Sequence, residues 1–215
     1  MKKISTSSRT IKTSARVALI LFALMHLSLR VVGNETASSV LKHVYDRFNN
    51  QAVEISFKVN ARGTSPQGII VLDKDKFTIK TDELSTWYDG KTQWTLSKSI
   101  NEVNVSNPSH EELAEINPLL ILGSMSTKFN TELGDAPVGF YNLKLASKST
   151  DYPISSATIK INSNDWNPSE ITVVTNTGER YTFLINYVKN LSKIDKNCFR
   201  FNDDQFPGVD IIDLR

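Results

Sequence analysis

Cysteine occurs once in the 215 residues, at Cys198. No internal disulfide is therefore available, and the fold must stand on its core. The thiol sits in an aromatic run, Cys198-Phe199-Arg200-Phe201, which reads as a short strand with a buried sulfhydryl. Histidine is almost as scarce: His26, His43 and His110 are the whole set, and none has a second histidine or cysteine at metal-ligand spacing. No G-x-S-x-G, P-loop or H-E-x-x-H pattern occurs. Glu111, Glu112 and Glu115 share a short helical stretch, where a solvated face and first-turn dipole complementarity account for them. These gaps give no support to catalysis and imply neither a metal nor a cofactor. There is also no apolar run long enough to span a bilayer comfortably. Val17 to Leu29 comes nearest and has the length of a signal-peptide core.

That run follows a basic front of Lys2, Lys3, Arg9, Lys12 and Arg16, and it precedes Val31 and Gly33, which suit the −3 and −1 positions of a signal peptidase site. Residues 1–33 therefore read as a signal peptide cleaved near Gly33, with an uncleaved N-terminal membrane anchor as the alternative, and residues 34–215 as one exported domain. The leader carries six basic residues (Arg30 is the last). Of the 25 basic and 23 acidic residues in the chain, 19 and 23 remain after cleavage, a net charge of −4. An acidic domain has no electrostatic reason to bind nucleic acid.

The first element after the leader is a helix, with Val40, Leu41, Val44, Tyr45 and Phe48 on one face and Asn49-Asn50 at its end. From residue 52 the period becomes two. Val53, Ile55, Phe57 and Val59 alternate with polar residues, as in a strand with one apolar face. Strand patterns follow at 68–72, 76–80, 84–88, 92–96 and 102–105, and Asp89-Gly90 suggests a type I′ hairpin. Ser109 and Glu112 then form a capping box after Pro108. The helix they open kinks at Asn117-Pro118, continues through Leu119–Leu122 and stops at Gly123. Strand patterns resume at 139–145, 156–161, 170–174, 181–187 and 197–201. One helix, about ten strands and one helical insertion suggest a single curved sheet.

Four stretches carry a resemblance to a known family: VLKHVYDRFNNQAVEISFKV (40–59), TWYDGKTQW (86–94) with NEVNVSNPSHEEL (101–113), INPLLILG (116–123) and FPGVDIIDLR (206–215). In order and spacing, over roughly residues 37–214, they resemble the LolA family, periplasmic carriers that ferry lipoproteins from the inner to the outer membrane. The resemblance implies a mainly β fold with helices: a half-open, curved antiparallel β-barrel covered by an α-helical lid. It also implies acyl chains held between sheet and helices, no reaction and no cofactor. The implied partners are acylated lipoproteins, an inner-membrane lipoprotein-releasing ABC transporter and an outer-membrane acceptor, with the carrier a monomer. Family members carry an arginine before the third strand that latches the lid. Here Asp73 stands at that position with Lys74 beside it, and lysine lacks the planar five-donor fork.

A carrier of this kind works by burial. Each methylene withdrawn from water contributes roughly 0.8 kcal/mol, so a triacyl anchor with on the order of 40 methylenes would need roughly 30 kcal/mol to leave a membrane for water. The expected concave-face residues are Val53, Ile55, Phe57, Ile70, Leu72, Phe77, Ile79, Trp87 and Trp94, with Leu113, Ile116, Leu119, Leu120 and Leu122 on the lid. The phase of Trp87 against Tyr88 hangs on a single residue, and a shift of one exchanges the faces. Two other readings stay open on the same fold: a periplasmic binder of free lipid or hydrophobic metabolite, and an envelope sensor module, which would be expected to bring a second domain.

Overall fold

The structure, a computed structural model, describes residues 35–61, 63, 65–109, 112–113 and 125–215. The expected leader therefore lies outside the described residues, as do Ile116, Leu119, Leu120 and Leu122 of the expected lid.

Helix α1 spans Ala37–Asn49. It begins where Thr36 and Ser39 cap each other: Ser39 N–H donates to Thr36 Oγ1 at 3.1 Å, and Thr36 N–H donates to Ser39 Oγ at 2.9 Å. Two of the backbone donors that a helix start leaves orphaned are thus satisfied. Val40, Leu41, Val44 and Phe48 are buried, as their spacing requires. Tyr45, expected on the same face, is 40% exposed, because the stripe in contact is narrower than the apolar sequence pattern.

Twelve strands form one sheet: β1 (Val53–Asn60), β2 (Gln67–Asp73), β3 (Lys76–Thr81), β4 (Leu84–Tyr88), β5 (Gln93–Ser97), β6 (Glu102–Ser106), β7 (Phe129–Gly134), β8 (Phe140–Ser147), β9 (Ile154–Asn162), β10 (Pro168–Thr175), β11 (Arg180–Asn190) and β12 (Asp210–Asp213). Their spatial order is β12-β6-β5-β4-β3-β2-β1-β11-β10-β9-β8-β7, so the sheet is unclosed, with β12 and β7 at its edges. Every pairing is antiparallel except β12 with β6, which is parallel. Helix α1 touches β2 at one side and β7 and β8 at the other. Those flanks stand up to six places apart in the strand order. In a flat sheet that is about 29 Å, against a helix about 20 Å long. The sheet therefore wraps round the helix. A register shift between Ser56 and Phe57, where β1 meets β11, lies within that curve, near its β2 end.

Several turns and edges depart from the sequence reading. Asp89-Gly90 does not make a two-residue type I′ turn. Tyr88 pairs with Gln93 across a longer loop, and Asp89 Oδ1 accepts the N–H groups of Lys91 and Thr92 at 3.1 and 2.9 Å. Only Gly90 in that loop has positive φ, at 96°, whereas type I′ needs two such residues. The run 197–201 is not a strand. Asp195 caps a 3-10 turn over Lys196–Phe199, which takes the backbone out of extended geometry. Strands β7 and β12 went unread: β7 lacks β-branched residues except Thr131, and β12 is a four-residue edge paired in parallel with distant β6. A second short helix, α2 (Met125–Lys128), leads into β7.

The two faces of the sheet bury different things. On the face toward α1, one continuous core joins α1 to β1–β3 and β7–β10. On the other face, Trp87, Leu96, Val103 and Val105 are covered by Phe201, Phe206 and Val209 of the C-terminal segment. Thr78 Oγ1 donates to the Cys198 carbonyl at 2.6 Å and fastens that segment to β3. Arg200 lies over the Trp94 ring at 5.6 Å and 3.7 Å from Asp89 Oδ2.

Candidate functional site

The face that wraps α1 is built in rows, because residues opposed across an antiparallel pair share a face. One row runs Val53–Leu72–Phe77–Tyr88–Gln93–Ser106 from β1 to β6. The next runs Ile55–Ile70–Ile79–Thr86–Thr95–Asn104. On the far side of β1, Val59–Phe183–Ile171–Ile159–Leu143–Leu133 crosses to β7. The inner face is therefore apolar over β1–β3 and β7–β11 and becomes polar on β4–β6.

Most of the expected concave-face residues occupy the apolar part. Val53, Ile55, Phe57, Ile70, Leu72 and Phe77 are buried there, and Ile79 packs against them half-buried. Leu113 is buried in the same core, and the capping box that positions it is formed. Ser109 N–H donates to Glu112 Oε2 at 2.7 Å, Glu112 N–H to Ser109 Oγ at 3.3 Å, and Leu113 N–H to the Ser109 carbonyl at 3.1 Å. Trp87 and Trp94 are a correction. They pair with each other and stand on the opposite face, where Trp87 meets Phe201 and Phe206 edge-on at 5.5 and 5.7 Å. Tyr88 takes the inner position, its ring 5.3 Å from that of Phe77. The phase slips because Trp87 and Tyr88 are adjacent aromatics and both faces of β4 are buried, so apolarity cannot set the register.

The apolar residues of β8–β11 belong to this face and went unassigned in the sequence. Leu143, Leu145, Ile159, Ile161, Ile171 and Val173 are buried, while Phe183, Ile185 and Val188 on β11 stay partly open. Alternation in 156–161 and 181–187 marked the strands but not which barrel wall they form.

The polar part is equally well defined. Thr86, Tyr88 and Gln93 are buried, with Thr86 Oγ1 and Thr95 Oγ1 3.4 Å apart and Gln93 Nε2 donating to Thr95 Oγ1 at 3.2 Å. Burial raises the Tyr88 hydroxyl above its ordinary pKa, and the carboxylates of Asp75 and Asp89 add to this, so it keeps its proton at neutral pH.

The remaining sequence candidates fall outside this face. Lys74 sits exposed in the β2–β3 turn with φ 57°, beside Asp73. His43 stacks on Trp166 with ring centres 4.1 Å apart, and Trp166 stacks in turn on Tyr141 at 5.5 Å, which ties the exposed side of α1 to the β9–β10 turn. His110 and Glu111 lie outside the described residues. Among the described residues no three His, Cys, Asp or Glu side chains gather as metal ligands would, and no helix is long and apolar enough to cross a membrane.

The same architecture occurs in a solved structure. An uncharacterized conserved protein from Thermus thermophilus superposes with a TM-score of 0.57 at 11% identity, covering 82% of this chain and 98% of that one, and so shares the fold. A LolA superfamily protein from Nitrosomonas europaea (TM-score 0.45, 11% identity, 78% and 99% covered) and a DUF1329 family protein from Desulfovibrio piger (0.49, 9%, 80% and 98%) superpose more loosely. No curated protein matches in sequence. Residues 27–177 match the family described as outer membrane lipoprotein carrier protein LolA. That match takes in α1, β1–β10 and the residues between them, which is most of the chain, and the chain belongs to the LolA family.

Proposed function

We propose that this protein is a periplasmic carrier that shields the acyl chains of lipoproteins between the inner and the outer membrane, without catalysing a reaction. The observation that carries this reading is an apolar inner face larger than its helix covers. Helix α1 buries one stripe against it, yet Val59, Ile79, Phe183, Ile185 and Val188 belong to the same core and remain partly open. An apolar surface on the inside of an unclosed sheet suits a flexible hydrocarbon chain, since each enclosed methylene adds roughly 0.8 kcal/mol without needing a directional contact. A carrier must also release its load, and an edge left open by β12 and β7 gives the sheet freedom that a closed barrel lacks. Donor and acceptor are proposed to be a lipoprotein-releasing ABC transporter and an outer-membrane acceptor.

The test is mass spectrometry of the protein purified from its native envelope, together with release of an acylated lipoprotein from inner-membrane vesicles into the soluble fraction. The reading predicts acylated cysteinyl peptides in the bound fraction and a soluble one-to-one complex. Bound free lipid in place of lipoprotein would redirect the reading to a lipid binder. Absence of any acyl chain in both assays would refute it.

A further inference from the structure

The inner face turns polar on β4–β6, and at Thr86, Tyr88 and Gln93 it is polar and buried at once, which a wall that met only hydrocarbon would not need. Gln93 is the sharpest case. It is 8% exposed, and by register it points the same way as Tyr88 and Phe77. Its Nε2 is satisfied by Thr95 Oγ1, but its Oε1 is buried with no hydrogen-bond partner. A buried carbonyl oxygen without a partner is uncommon and destabilising, because it has lost its water and gained nothing in return. Turning the carboxamide over would exchange the empty acceptor for an empty donor; with Nε2 on Thr95 Oγ1, as it stands, the empty end is the acceptor. Beside it stand hydroxyls that can donate, on Tyr88 and Thr86, and beyond it Ser106 and Asn104 continue the polar rows toward the sheet edge.

We propose that Gln93, flanked by Tyr88, Thr86 and Thr95, binds the amide linkage at the head of an N-acyl chain whose hydrocarbon lies on the partly open part of the apolar inner face, entered at Ile79. The two halves of each row fit the two halves of such a ligand. The amide N–H supplies the donor that Gln93 Oε1 lacks, and the amide carbonyl accepts from a neighbouring hydroxyl. The row of Tyr88, Phe77, Leu72 and Val53 is buried core, but the row beside it runs from Thr95 through Thr86 to Ile79, which is partly open, so a chain anchored at the polar end meets apolar surface there. An ester has the carbonyl but no N–H, and it leaves Gln93 Oε1 as empty as before. Gln93 thus acts as a specificity determinant for amide-linked over ester-linked chains. The inference rests on the carrier reading above and names the part of the cargo that the polar rows take.

The experiment compares N-methyldodecanamide with methyl dodecanoate, which share a chain and differ at the N–H. Each is titrated as a competitor of a fluorescent acyl probe bound to the protein, in the wild type and in Gln93→Leu and Gln93→Met. Both variants remove the carboxamide, and Met keeps its length. The ratio of amide to ester affinity should fall about tenfold in the variants, the effect of one buried hydrogen bond. Comparing ratios cancels the different hydration of the two ligands. Thermal melts of the unliganded variants should match or exceed wild type, since an unpartnered polar group has been removed. A ratio unchanged in both variants would overturn the proposal and leave the carrier reading intact. Failure of the folded wild type to bind either ligand would overturn the carrier reading itself.

Discussion

Trp87 and Tyr88, neighbours on β4, belong to two different cores. Tyr88 packs on Phe77 at 5.3 Å in the core that α1 joins, and Trp87 meets Phe201 at 5.5 Å beneath the C-terminal segment. The sheet is covered on both sides at this strand, and each side can be disturbed separately. Trp87→Ala should destabilise the protein by about 3–5 kcal/mol through lost packing. It should loosen residues 198–214 and leave acyl binding unchanged. Denaturant melts, hydrogen exchange of the C-terminal segment and probe binding check the three parts.

Placing a charge on the other face has the opposite pattern. Phe57 is buried in the helix-side core, its ring 6.4 Å from that of Phe183. Phe57→Asp puts an unpaired carboxylate there and should destabilise by more than about 3 kcal/mol. Ile79 is only partly buried, so Ile79→Asp should be milder for stability while still weakening acyl binding. Wild-type melts together with wild-type binding in both variants would place the acyl site elsewhere.

At Gly68 the neighbours of β2 leave no room for a side chain. A β-carbon added there would stand 2.3 Å from the Lys80 carbonyl oxygen and 3.1 Å from Phe57 Cζ. The first contact is with backbone and cannot move aside cheaply. Gly68→Ala should therefore destabilise by about 1–3 kcal/mol, the range for overpacking, even though alanine is the better strand residue in an open site. A urea melt reads the difference.

The alkaline limb of stability carries a signature of Tyr88. Its folded pKa is raised, chiefly by burial, so the folded state favours the neutral phenol. Its stabilising contribution is complete below the unfolded value near 10 and is lost as pH rises through the higher folded value. Cys198 and Tyr187 are raised as well, by burial and by the Glu54 hydrogen bond respectively, and act in the same direction. Melting temperature should fall as pH rises from about 9 upward, and Tyr88→Phe should remove part of that fall. A Tyr88→Phe variant that follows the wild-type curve throughout would show that the phenol titrates freely.

Much of this architecture was legible because local and tertiary signals agree. In β1 the alternation of Val53, Ile55 and Phe57 with polar residues matches its burial, and Ser109 with Glu112 forms the capping box that the spacing requires. Legibility stops where both faces of a strand are buried. Trp87 and Tyr88 then carry no phase information, and Trp94 inherits the error through its pairing with Trp87. The run 197–201 alternates like a strand, yet Asp195 accepting from the Asn197 N–H decides for a 3-10 turn. Strand β12 is too short to announce itself and exists through its pairing with β6, a hundred residues earlier. The polar rows are hidden for a further reason: a glutamine beside a tryptophan in a short strand reads as its solvent face, and only the register through Tyr88 and Phe77 turns it inward.

Acyl chains are proposed to lie on the face that wraps α1. The most direct measurement is photo-crosslinking of the wild-type protein with a diazirine-bearing N-acyl chain, followed by peptide mapping. Labels on α1 and on the inner-face positions of β1–β3 and β11, displaced by unlabelled chain, are expected. Displaceable labels confined to Trp87, Phe201 and Phe206 on the opposite face would contradict this placement.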